Sequence, residues 1–124
     1  MLSLMFASAA LAADSSLSAG EASLARELNG RVAGQPVSCI AGRTVRDVWV
    51  VERTALLYRM RDGTVYVSRP IFGADGLARD AVLGGTGPRT LCQGDGVGLV
   101  SPGGKGVRGL TALRLGAFTP YRRP

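Results

Sequence analysis

The chain has 124 residues and a mass of 12.8 kDa, enough for one domain and too little for two of ordinary size. Fifteen Lys and Arg against nine Asp and Glu give a net charge of +6 and a pI near 10.4. Histidine is absent, which excludes every Ser-His or Cys-His catalytic pair and every His-ligated metal, and two cysteines cannot build a thiolate zinc site. A hydrophobic fraction of 46% with 19% charged residues is the composition of a folding chain, not a disordered one.

Residues 1–11, MLSLMFASAAL, are apolar and uncharged and run into Ala10-Leu11-Ala12, an A-x-A cleavage pattern. This is the apolar region and cleavage site of a secretory signal peptide, and it is too short to span a bilayer before Asp14 arrives. The basic residues that normally precede such a region are missing, and the expectation is a true start upstream of Met1. The predicted organisation is a signal peptide over 1–12, a short helix and linker over 13–30, and a single β domain over 31–124. An N-terminal core helix is the alternative reading of the first segment.

Export decides how the cysteines are read. In an oxidising compartment, Cys39 and Cys92 are expected to form a disulfide, with two buried thiols as the alternative. A C-x-x-C redox centre is excluded by their spacing.

Ser15 to Gly30 reads as helix. Ser18 and Glu21 have the spacing of a capping box, and Leu17 stands where a staple residue would. Leu24 and Leu28 share one face, and Asn29-Gly30 supplies the stop. From Val32 onward the pattern turns to strands. The runs 45–51, 54–60 and 64–68 are β-branched and aromatic, and Asp62-Gly63 between the last two predicts a hairpin with a two-residue turn. That turn pairs 61 with 64, 60 with 65 and 59 with 66. It sorts Leu56, Tyr58, Met60, Val65 and Val67 onto one face and mostly polar residues onto the other.

Arg69-Pro70 ends that strand and a glycine-rich loop follows, within which 78–83 reads as a helical turn or a short strand. Further short strands are predicted at 89–92, 97–101, 107–115 and 117–119. About seven short strands with a turn every ~8–12 residues predict a mainly β domain, a small barrel-like or sandwich antiparallel sheet with a short N-terminal helix.

Several motifs fail on inspection. Near Lys105 the first glycine of a phosphate-binding loop would have to stand at Leu99, and Gly106 replaces the Ser or Thr that holds magnesium. No G-x-S-x-G elbow exists, and Ser38, Ser68 and Ser101 have no histidine base. The carboxylates available for paired acid-base work are Asp47, Glu52, Asp62, Asp75, Asp80 and Asp95. Asp62 and Asp95 sit in turns, while Asp47, Glu52 and Asp80 each neighbour an arginine and read as solvated ion pairs. Neither a catalytic residue nor a metal ligand nor a cofactor site is assigned. The positive charge rests on fourteen arginines and one lysine. Arg43, Arg46, Arg59, Arg61 and Arg69 are the candidate anion-binding residues, because guanidinium forks match phosphate and carboxylate groups. A solvated sheet face written by an arginine-rich composition is the plainer reading. Membrane surfaces and anionic envelope polymers are the partners that charge allows, and specific nucleic-acid binding is not expected.

Gly30-Arg31-Val32-Ala33-Gly34, Val37-Ser38-Cys39-Ile40, Leu91-Cys92-x-Gly94-Asp95 and Leu115-Gly116-x-Phe118-x-Pro120-Tyr121 together resemble a family of small exported proteobacterial proteins of unknown function. Its frame is C-I, a Gly-tipped hairpin, L-C-x-G-D and a closing L-G-x-F-x-P. Many members carry two further cysteines, after the hairpin and before the L-G-x-F segment. Residues 72–77 and 111–114 have none here, so the resemblance implies that Cys39–Cys92 is the bridge that remains. The family implies no activity, substrate or cofactor. The expectation is therefore an exported, non-enzymatic envelope protein with a binding or structural role. Charge-driven binding of anionic polymers or lipids is the second reading, and a carboxylate hydrolase is the third.

Overall fold

Three consecutive apolar, β-branched runs make the centre of the molecule. The computed structural model describes residues 15–77, 82–83, 89–100 and 111–124. Within them a helix α1 (Ser15–Glu27) is followed by β1 (Val32–Ala33), β2 (Cys39–Ala41), β3 (Val45–Val51), β4 (Ala55–Met60) and β5 (Val65–Ser68). Then come β6 (Val82–Leu83), β7 (Thr90–Cys92), β8 (Gly96–Val100), β9 (Thr111–Arg114) and β10 (Phe118–Arg122). A five-stranded antiparallel sheet has the order β1-β10-β5-β4-β3, with β2-β7 and β6-β8-β9 as smaller sheets. The fold is mainly β and sandwich-like, and among the described residues no sheet closes into a barrel. Its edges are blunted instead: β1 is only two residues long, and β3 carries a bulge at Arg46 followed by the charged Asp47.

Both faces of the large sheet are covered. Leu56, Tyr58 and Met60 pack with Ile40, Leu77, Leu91, Leu113, Leu115 and Phe118 on the side of the smaller sheets. Leu57, Val51, Ala55, Val65 and Val67 pack under Leu24 and Leu28 of α1. This double burial corrects the predicted hairpin register. Leu57 pairs with Val67, Tyr58 with Tyr66 and Arg59 with Val65, one residue away from the predicted pairing. The Met60 N–H donates to Thr64 O at 2.8 Å and the Gly63 N–H to Met60 O at 3.0 Å, and Gly63 has φ of 92° while Asp62 does not turn positive. The loop therefore holds three residues and ends on a left-handed glycine. Sorting apolar from polar selects a register only when one face is wet. Here both faces are apolar, and the turn decides.

The capping box is also corrected. α1 already begins at Ser15, so Leu17 and Ser18 lie inside it, and the Glu21 carboxylate instead reaches the Arg69 guanidinium. Leu24 and Leu28 are buried as predicted, and Gly30, at φ of 80°, ends the turn that follows. Gly20 faces the β3–β4 turn so closely that a Cβ there would overlap the Thr54 hydroxyl.

The last strand runs past Thr119 because Pro120 stands where no donor is needed. Its carbonyl accepts from the Gly34 N–H at 2.7 Å, so its nitrogen points to the same edge. There the neighbouring chain leaves the ladder after Ala33 and returns only at Val37, which bonds Phe118 in both directions.

Cys39 and Cys92 are bridged. They are also direct partners in the β2–β7 ladder, with Cα atoms 4.0 Å apart, flanked by Ile40 and Leu91 in the core. The proposed signal segment 1–12, Asp80, Ser101 and Lys105 lie outside the described residues, as do 78–81 and 107–110 of the predicted strands.

Candidate functional site

The tip of the β4–β5 hairpin, Arg61 to Thr64, organises the basic end of the sheet. The Arg61 N–H donates to Thr44 O at 2.9 Å, which seats the turn Gly42–Thr44, and with it Arg43, beside the tip. Arg46 occupies the β3 bulge opposite Met60, at the same end. Arg43, Arg46 and Arg61 are all exposed.

On the other side of the tip, Arg31, Arg122 and Arg123 line a cleft of about 350 Å³ together with Asp62, Gly63 and Thr64. Arg31 Nη1 donates to the carbonyls of Gly63 at 2.8 Å and Tyr121 at 3.3 Å, and Arg122 Nε donates to Thr64 Oγ1 at 3.2 Å. Asp62 Oδ1 accepts the Thr64 N–H at 2.8 Å. That bond, with a smaller attraction from Arg122, holds the Asp62 carboxyl below its ordinary range.

The remaining candidates are committed elsewhere. Arg59 forms an ion pair with Asp47 at 2.8 Å across the β3–β4 ladder and lies 5.6 Å from the centre of the Trp49 ring. Arg69 sits at the far end of β5, paired with Glu21 of α1. Of Arg43, Arg46, Arg59, Arg61 and Arg69, three gather at one end and two are neutralised by carboxylates.

Arg31, Arg122 and Arg123 escaped the sequence reading. Adjacent arginines at the end of the last strand were a visible signal. Their meeting with Arg31 follows from the pairing of Val32 with Arg122, which no local pattern encodes.

Three of the candidate carboxylates serve as turn formers or a pair partner. Asp95 Oδ2 accepts the Cys92 N–H at 2.8 Å, Asp62 caps its own hairpin, and Asp47 holds Arg59. Glu52 is exposed in the β3–β4 turn, beside a groove of about 580 Å³ under α1. Ser68 is buried and donates to Gly116 O at 3.0 Å. Among the described residues, no three His, Cys, Asp or Glu side chains gather closely enough to hold a metal ion. No described helix is long and apolar enough to cross a membrane.

Cys39 and Cys92 form the bridge, Ile40, Leu91, Leu115 and Phe118 fill the core, Gly94 takes φ of 90°, and Asp95 closes its turn. Comparison with family models, with curated proteins and with solved structures finds no match.

Proposed function

We propose that this chain works outside the cytoplasm as a non-enzymatic binding protein that holds anionic envelope polymers or lipid surfaces through the arginine-rich end of its sheet. The observation that carries this reading is the gathering of Arg43, Arg46 and Arg61 on one side of the hairpin tip and Arg31, Arg122 and Arg123 on the other. These arginines come from four separate stretches of sequence. The described ion pairs, Arg59–Asp47 and Arg69–Glu21, involve none of them. Export is supported by the apolar start with its A-x-A pattern and by the Cys39–Cys92 bridge, which persists where thiols oxidise. The resemblance to exported proteins of the C-I and L-C-x-G-D frame points the same way.

Retention on vesicles containing anionic lipid, or on an anionic polysaccharide matrix, tests the reading. Binding through charge weakens steeply as the Debye length falls from ~10 Å in 0.1 M salt to ~3 Å in 1 M. The triple change Arg43→Ser, Arg46→Ser, Arg61→Ser is expected to cut retention while the melting temperature stays close to wild type. Retention that ignores both salt and these changes overturns it.

A further inference from the structure

The geometry points to the cleft between the hairpin tip and the ends of β1 and β10 as a discrete site for one tetrahedral oxyanion, a phosphate or sulfate group carried on a larger molecule. This narrows the function proposed above, on which it rests, from a charged surface to a defined pocket.

Three features support it. The first is convergence: Arg31, Arg122 and Arg123 face one cleft, against the single carboxylate of Asp62. The second is preorganisation. Arg31 is anchored through one terminal nitrogen, Nη1, to the carbonyls of Gly63 and Tyr121, and its Nε and Nη2 have no hydrogen-bond partner among the described residues. Arg122 is anchored through Nε to Thr64 Oγ1, which leaves both terminal nitrogens. Arg123 has Nη1 3.5 Å from where a side chain on Gly30 would begin, so it rests on a glycine surface. Guanidinium groups held in place before binding lose less freedom when a ligand arrives.

The third feature is the state of Asp62. It accepts the Thr64 N–H within its own turn and forms no ion pair with the three arginines around it. Three guanidinium groups against one carboxylate leave the cleft with a net positive charge. A carboxylate has two oxygens, and a single guanidinium fork matches both. Three guanidinium groups lining one cleft match a group with three terminal oxygens.

The test uses the full disulfide-bonded chain, followed by amide NMR while inorganic phosphate or sulfate replaces chloride at constant ionic strength. Saturable shifts are expected at the Gly63, Thr64, Arg122 and Arg123 amides. Arg122→Gln and Arg123→Gln are each expected to weaken the titration by about tenfold, the loss of one charge-assisted contact. Arg69→Gln, at the far end of β5, is expected to leave it unchanged. Asp62→Asn, which keeps an oxygen for the Thr64 N–H, is expected to tighten it. Arg31 is spared because its loss would free two carbonyls.

Competition then separates the sources of the group. Displacement of phosphate by vesicles containing phosphatidic acid identifies a lipid headgroup, and displacement by a sugar phosphate identifies a saccharide ester. Shifts that chloride reproduces, that never saturate, or that survive Arg122→Gln overturn the site. Salt-sensitive retention on an anionic matrix without a saturable titration sinks this inference and leaves the broader reading standing. The reverse pattern sinks the broader reading alone.

Discussion

The carbonyl oxygen of Arg69 occupies the space in which a side chain on Gly116 would begin, so the segment after β9 lies directly against the end of β5. Ser68, next to Arg69, donates its hydroxyl to the Gly116 carbonyl at 3.0 Å in the buried interior. Backbone meets backbone here, and no flexible side chain can give way.

Gly116→Ala is therefore expected to destabilise the protein by at least ~2 kcal/mol, at the upper end of overpacking. Gly20→Ala meets the Thr54 side chain instead. It is expected to cost less, and to be rescued by Thr54→Gly in a double mutant. Urea unfolding of the three variants checks both.

Loss of the Cys39–Cys92 bridge, which closes a span of 53 residues, is expected to cost about 4 kcal/mol by chain entropy. Since β2 and β7 carry Ile40 and Leu91 into the core, the Cys39→Ser, Cys92→Ser form should lose both strands together. Hydrogen exchange at their amides, with and without reductant, is the measurement.

Tyr58 is fully buried, meets Phe118 edge to face at 5.8 Å, and its hydroxyl has no partner among the described residues. Burial pushes its phenol well above the usual range. An acid with a raised folded pKa lends stability below the unfolded value, near pH 10, and that stability drains away as pH rises toward the folded value. Tyr58→Phe is expected to flatten the alkaline fall, and to add about 1 kcal/mol at neutral pH by removing an unpaired hydroxyl. Unfolding curves at pH 7 and pH 10.5 distinguish the two forms.

Asp62 has the opposite sign. Its folded pKa is depressed by the Thr64 N–H, so its contribution is present above the unfolded value, near pH 4, and is lost as pH falls through the lower folded one. Asp62→Asn should shrink the acid-side loss of stability by slightly lowering the neutral value, since the ionised carboxylate's contribution is no longer there to lose. Gly63→Ala, which forces a Cβ into φ of 92°, should cost about 1 kcal/mol at every pH.

By itself, the sequence determined that this is a mainly β domain with a short leading helix, that a hairpin turns near Asp62-Gly63, and that its two cysteines pair. Those conclusions rest on turn chemistry, alternation and cysteine arithmetic, which act over a few residues or over the whole composition. Only the tertiary structure decided the hairpin register, because a sheet buried on both faces removes the polar side that would have set it. It alone decided which arginines stand free. Arg59 is claimed by Asp47 across a ladder and Arg69 by Glu21 from 48 residues away. Arg31 meets the end of β10, where it bonds Tyr121 90 residues on, because β1 closes the sheet there. Long-range pairing makes these meetings, and local propensity carries no record of them.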